Sequence, residues 1–165
     1  MLKMKSLFKY ILLFTAIPLL AGLSACDNEV CKEDMYTSMN ISLYNRSVPS
    51  QNFLLIDTFS LYRVKDGKLL PTEYTDTAGV YSFNLSLDPS SSTSRYFLKS
   101  PYMHDTIVIK HINSYEFVSA ECGARIVSYV DTVYFAGGHV EDSISITNHF
   151  VNGAYDAQNV KIYME

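Results

Sequence analysis

Residues 81–88 read Tyr81-Ser82-Phe83-Asn84-Leu85-Ser86-Leu87-Asp88. Four apolar side chains alternate with four polar ones without a break. Side chains on a strand point to opposite faces in turn, so this pattern gives one apolar and one polar face only if the segment is extended. A helix would spread Tyr81, Phe83, Leu85 and Leu87 around its whole circumference. Alternation with consistently polar partners means one face in water and the other on a core, the habit of antiparallel sheets.

The same period recurs outward in both directions. Met39, Ile41 and Leu43 alternate with Asn40, Ser42 and Tyr44; Ile107 and Ile109 alternate with Thr106 and Lys110, with Val108 blurring the pattern. Val127, Tyr129, Val133 and Phe135 share a parity interrupted at Asp131. Ile144 and Ile146 are spaced by Ser143, Ser145 and Thr147, and Val160, Ile162 and Met164 close the chain. Turn chemistry falls between these runs. Asp66-Gly67 favours a two-residue hairpin with positive φ at both centres. Asp88-Pro89-Ser90-Ser91-Ser92 forms a loop, because Pro89 cannot continue a central strand. Ala136-Gly137-Gly138-His139 and Asn152-Gly153 are further turns. About seven to nine strands at such spacing predict an all-β fold, an antiparallel, Ig-like β-sandwich over residues 35–165, with a small closed barrel as the alternative.

The composition agrees. The 165 residues are 48% hydrophobic and 18% charged, with seven Gly and five Pro, enough apolar matter for one domain with a real core and too little Gly and Pro for a fibrous or disordered chain. Without Lys3, Lys5 and Lys9 the remaining chain carries 10 basic and 17 acidic side chains, a net charge of −7. Such a surface repels a phosphate backbone, so no nucleic-acid partner is expected.

Those three lysines open a segment with the grammar of an export signal. A positive start is followed by the short apolar run Tyr10–Leu20, broken by Pro18, and then by small residues before a cysteine. A spanning helix needs about 20 apolar residues, more than this run supplies. Leu23-Ser24-Ala25-Cys26 resembles the bacterial lipobox. That resemblance implies cleavage of residues 1–25, a diacylglycerol thioether on Cys26 and a membrane partner reached through the lipid. At about 0.8 kcal/mol per buried CH₂, two or three acyl chains make a durable anchor. Residues 26–34 are rich in acid (Asp27, Glu29, Glu33, Asp34) and read as a solvated tether. They lack the alternating acidic spacing and central Gly of an EF-hand loop.

With Cys26 lipidated, Cys31 and Cys122 remain. In an oxidising envelope they either pair, closing a loop of about 90 residues, or stay as separate thiols with Cys122 buried. No His or Cys stands at metal-ligand spacing from either.

Reactive constellations are sparse. His139 and Glu141 share a face of one short run, but a metal or acid–base site needs further groups that the sequence does not place. After residue 25 no Gly-x-Ser-x-Gly elbow, Gly-rich phosphate loop, Ser-x-x-Lys or His-Glu-x-x-His occurs. The expectation is a non-enzymatic protein with no catalytic residue, no metal and no cofactor. Tyr36, Tyr44, Tyr74, Tyr102 and Tyr155 stand among polar residues; exposed on a sheet they would form a contact face for a glycan or a protein, and in strands they would equally serve cross-strand packing. Asp76-Thr77-Ala78, Asp105-Thr106-Ile107, Asp131-Thr132-Val133 and Asp142-Ser143-Ile144 repeat one tripeptide. It resembles the O-glycosylation acceptor of exported Bacteroidota proteins, which makes Thr77, Thr106, Thr132 and Ser143 candidate acceptors, Thr77 in a loop. The same tripeptide also describes an Asp closing a turn before a strand.

Taken in order, the lipobox, Cys31, Ser92-Thr93-Ser94-Arg95-Tyr96-Phe97, Phe117-Val118-Ser119-Ala120-Glu121-Cys122-Gly123 and Asn159-Val160-Lys161-Ile162-Tyr163 resemble a family of small Bacteroidota envelope lipoproteins of unassigned function. The resemblance implies a lipidated all-β protein of the cell envelope and supports Cys31 and Cys122 as a pair. The acidic residues after Cys26 resemble a surface-export signal in Bacteroidota and an inner-membrane retention signal in enterobacteria, and the expected site is the outer membrane, on its periplasmic face or at the cell surface. It implies no activity. The resulting expectation is an anchored binding module for an envelope protein or glycan, with an adhesin-like assembly subunit as the alternative and a hydrolase around His139 and Glu141 behind both.

Overall fold

The computed structural model describes residues 31, 35, 37–47, 53–101, 103–137, 143–153 and 157–164. The chain divides into two units, Met1–Lys32 and Glu33–Glu165. Of the first unit only Cys31 is described. The signal segment 1–25, Cys26 and the rest of the tether lie outside the described residues, as do His139 and Glu141.

The second unit is all-β. Its strands are β1 (Met39–Asn45), β2 (Ser60–Lys65), β3 (Lys68–Pro71), β4 (Ser82–Leu85), β5 (Thr93–Lys99), β6 (His104–Ser119), β7 (Gly123–Phe135), β8 (Ser143–Ile146), β9 (Phe150–Val151) and β10 (Gln158–Met164). They form a four-stranded sheet in the order β4-β1-β10-β8 and a six-stranded sheet in the order β3-β2-β5-β6-β7-β9. Neither sheet closes into a barrel. Met39, Ile41, Leu43, Phe83, Leu85, Val160 and Ile162 of the first sheet share one buried cluster with Leu61, Leu98, Ile107, Ile109, Val130 and Val133 of the second. This is the expected sandwich, with ten strands among the described residues where seven to nine were expected.

One pairing departs from the antiparallel expectation: β1 and β10 run parallel, Ser42 opposite Lys161 and Tyr44 opposite Tyr163. A parallel pair needs a long connection, and here that connection is nearly the whole domain. Asn159 is the extra residue of a bulge in this pair, between the Asn40–Gln158 and Ile41–Val160 partners. Its buried amide repays the irregularity: Oδ1 accepts from the Asn40 N–H (3.0 Å), and Nδ2 donates to the carbonyls of Asn148 and Phe150 (both 3.1 Å).

The Asp66-Gly67 hairpin forms as expected, with φ of 51° and 72°, and joins β2 to β3. Two local parities are corrected. β4 begins at Ser82, so Tyr81 precedes the strand and leaves the inward row of Phe83 and Leu85, standing 48% exposed. In β7, Asp131 is a bulge, because Lys110 faces Thr132 while the next residue, His111, faces Val130. A bulge resets the alternation: Val130 and Val133 point into the core, and Tyr129 points out.

Candidate ligand face

Strand alternation and the parallel register together build the outer face of the four-stranded sheet. With Met39, Ile41 and Leu43 turned inward, β1 presents Asn40 and Tyr44 outward, with Ser42 buried between them. With Val160 and Ile162 inward, β10 presents Lys161 and Tyr163, and β4 presents Ser82 and Asn84. Phe53 bridges Tyr44 in the antiparallel sense, and Tyr81 joins on the far side of Phe53. The result is a row of aromatic rings. Centroids lie 5.1 Å apart for Tyr81 and Phe53, 5.0 Å for Phe53 and Tyr44, and 5.5 Å for Tyr44 and Tyr163, all tilted. The Lys161 ammonium sits 5.3 Å from the Tyr44 ring centre, a cation–π contact.

Beside the rings lies a field of amides and hydroxyls. Asn40 Nδ2 donates to Asn84 Oδ1 (3.0 Å), Ser42 Oγ to Asn40 Oδ1 (3.3 Å) and Gln158 Nε2 to the Tyr44 hydroxyl (2.9 Å). Apolar ring faces flanked by donors and acceptors in fixed positions suit a ligand that is itself part apolar and part polar.

A second polar cluster looks reactive on paper and is structural in place. Ser94, His111 and Asn113 form a hydroxyl–imidazole–amide chain: Ser94 Oγ lies 2.9 Å from His111 Nε2, and His111 Nδ1 lies 2.9 Å from Asn113 Oδ1. Asn113 Nδ2 donates to the carbonyls of Asp88, Pro89 and Ser91, so Oδ1 is the acceptor, taking protons from His111 Nδ1 and from Ser128 Oγ (2.7 Å). Nε2 then accepts from Ser94, whose oxygen in turn accepts from the Asp88 N–H (2.8 Å). Every polar atom of the neutral imidazole is satisfied. Burial pushes the His111 pKa below its usual value, against the upward pull of the Asn113 hydrogen bond. Ser94 and His111 are sealed from solvent, so the chain holds the Asp88–Ser91 loop rather than meeting a substrate. Asp88 completes the brace. Its carboxyl is lowered to about 2, chiefly by the Ser90 hydroxyl and N–H; burial opposes this, and the Arg63 and Lys65 charges each add a smaller downward pull.

A shallow pocket of about 290 Å³ is lined by Thr58, Ser60, Asp76, Lys99, Ser100, Pro101 and His104. It brings a Ser, a His and an Asp together without the order nucleophilic catalysis needs. Ser60 Oγ donates to Asp76 Oδ1 (3.0 Å) and accepts from the Asp76 N–H (2.9 Å), with no imidazole between them.

Cys31 and Cys122 are disulfide-bonded. Thr77 lies in the connection between β3 and β4 as expected, held there because its N–H and C=O both pair with Phe59, and its side chain is half-buried. Thr106 is half-buried within β6. Thr132 is exposed on β7, its hydroxyl donating to Asp131 (2.8 Å), and Ser143 begins β8. Tyr44 joins the ligand face. Tyr74 packs on Phe59 and Phe83 and accepts the Asn84 N–H through its hydroxyl, so it serves the core. Tyr36, Tyr102 and Tyr155 lie outside the described residues. No group of three or more potential metal ligands occurs among the described residues. Sequence reasoning missed Phe53, Lys161 and Tyr163 as members of the face; the outward parity of Lys161 and Tyr163 against Val160 and Ile162 was the available signal, whereas nothing local marks Phe53.

A model of a family of unknown function, DUF6452, matches residues 61–164. No curated protein and no solved structure matches the chain.

Proposed function

The chain belongs to the DUF6452 family, a family of unknown function, and on that premise we propose that it is a non-enzymatic binding module of the cell envelope. It is anchored through a lipid on Cys26, sits at the outer membrane, and engages an envelope glycan with the outer face of its four-stranded sheet. The observation that carries this reading is the ring row of Tyr81, Phe53, Tyr44 and Tyr163 beside the amides of Asn40, Asn84 and Gln158. Sugars offer C–H faces to aromatic rings and hydroxyls to amides, and this face holds both, Tyr44 and Tyr163 on strands and Phe53 and Tyr81 packed beside them. Tyrosine supplies contact area at low entropic cost, because only two torsions must be frozen.

The test is binding of envelope polysaccharide fragments to the native protein and to Tyr44→Ala and Tyr163→Ala. Each removes a ring from a rigid face, so about tenfold or more weakening is expected, of the order one buried aromatic contact supplies. Undiminished binding by both variants would move the ligand elsewhere. The anchor is tested separately: Cys26→Ala should transfer the protein from the membrane fraction to the soluble fraction with its fold unchanged.

An assembly role has one observation in its favour. β3 is an edge strand with every residue exposed, including Leu69 and Leu70. Lys68 and Pro71 at its two ends blunt it against strand addition, so we place self-assembly second. Concentration-dependent oligomers in sedimentation would raise it.

A further inference from the structure

Tyr115 and Phe117 are 81% and 72% exposed, the two most exposed large apolar side chains among the described residues. Both lie on the distal half of the long β6–β7 hairpin, on the face that carries His111 and Asn113 nearer the core. Side chains of this kind in water cost free energy unless something covers them.

The disulfide says what stands nearby. Cys122 lies in the turn of that hairpin, and its partner Cys31 is five residues from Cys26. Five residues span at most about 18 Å when fully extended. Phe117 pairs with Ala124, two residues from Cys122, which at about 3.3 Å per residue keeps its ring within roughly 10 Å of the crosslinked turn. Thr37 donates from its hydroxyl to the Ile126 carbonyl (2.8 Å), so the chain entering β1 also runs beside this end of β7. A lipid on Cys26 therefore holds the aromatic hairpin end close to a bilayer surface.

We propose that the distal end of the β6–β7 hairpin is a second membrane contact, with Tyr115 and Phe117 seated in the headgroup region of the bilayer that holds the lipidated Cys26. This rests on the lipid-anchor reading above. The chemistry fits an interface: Phe117 is apolar, and Tyr115 carries a ring with a polar tip, the residue type that collects at membrane–water boundaries. On the hairpin end itself charge is sparse, and the tether that Cys31 joins to it carries Asp27, Glu29, Glu33 and Asp34, which disfavour anionic lipid. Glu116 and Arg125 neutralise each other (2.8 Å), leaving Glu121 at the turn. The contact is therefore apolar, works on zwitterionic lipid, and is insensitive to salt, unlike a basic patch on anionic lipid. The anchor makes the contact intramolecular, so a weak interaction suffices to populate it, and the disulfide keeps the tether short.

The chain contains no tryptophan, so Phe117→Trp is a unique reporter. The full-length lipidated variant is reconstituted into pure zwitterionic vesicles, with cosedimentation and emission read on one sample. The expected result is cosedimentation, blue-shifted emission, and quenching by brominated acyl chains that does not change with salt. Tyr81→Trp, beside the four-stranded sheet, should show the same emission with and without vesicles. Adding Cys31→Ser and Cys122→Ser to Phe117→Trp should leave the protein sedimenting but lose the blue shift; a blue shift that persists overturns the role given to the disulfide. Sedimentation with water-like Phe117→Trp emission overturns the hairpin contact and leaves the anchor standing. Failure to sediment overturns the anchor, and the hairpin contact with it. A blue shift seen in native membranes but absent from pure vesicles assigns this end to a protein partner and also overturns the proposal.

Discussion

Asp88 and His111 are two titrating residues of one brace, and the signs of their shifts make the protein acid-labile in two steps. His111 has a folded pKa lowered by burial. As pH falls below the ordinary histidine value of 6.5, the unfolded chain takes a proton that the folded one refuses, and stability declines. Asp88, lowered from 3.8 to about 2, contributes stability that is present above pH 3.8 and is lost as pH falls toward 2, a step of about 2 kcal/mol. Denaturant midpoints measured from pH 8 to pH 2 should show both declines, and Asp88→Asn should abolish the lower one. His111→Gln should start from lower stability and lose the upper step. Gly137 offers a steric prediction. Its N–H donates to Asp105 Oδ1 (2.7 Å), and an added Cβ would lie 2.6 Å from that same oxygen. Asp105 is 4% exposed and cannot step aside. Gly137→Ala should therefore destabilise by about 1–3 kcal/mol in urea denaturation, as overpacking does.

Among the elements, β4 and β7 show how far a local pattern reaches. Phe83 and Leu85 are inward because nothing interrupts their alternation. Val127 and Tyr129 share a parity with Val133 and Phe135 in the sequence but not in the sheet, because the bulge at Asp131 shifts the pleat by one residue. The interruption is visible in the sequence; whether Asp131 bulges or merely exposes a charge is decided by pairing with β6. Asp66-Gly67 was fully legible, since a two-residue turn with positive φ at both centres is a local matter. The crosslink between Cys31 and Cys122 closes a loop of about 90 residues, so the chain-entropy model expects its removal by Cys31→Ser to lower unfolding free energy by up to about 4–5 kcal/mol. Equilibrium denaturation of the oxidised protein against that variant measures it. A loss much below 1 kcal/mol would mean the crosslink tethers without stabilising.

For the whole molecule, the parallel seam between β1 and β10 joins the two ends of the domain at the centre of the four-stranded sheet. Val160 and Ile162 are fully buried in the common core. Truncation before Gln158 strips β1 and β8 of their shared partner and opens that core, so the shortened chain should show no cooperative thermal transition by circular dichroism, where the full chain shows one.

The sequence by itself determined the all-β class and the Asp66-Gly67 hairpin, because alternation and turn chemistry are properties of short stretches of chain; it left a closed barrel open beside the sandwich. Only the tertiary structure decided the strand order, the parallel closure and the ligand face. Tyr44, Phe53, Tyr81 and Tyr163 lie up to 119 residues apart and meet only through the β1–β10 register and the bridge of Phe53 to Tyr44. The same holds for the brace, in which Arg63, Asp88, Ser94, His111, Asn113 and Ser128 come from five separate segments. Long-range pairing is chosen by burial of the entire core at once, and no single window of sequence contains that choice.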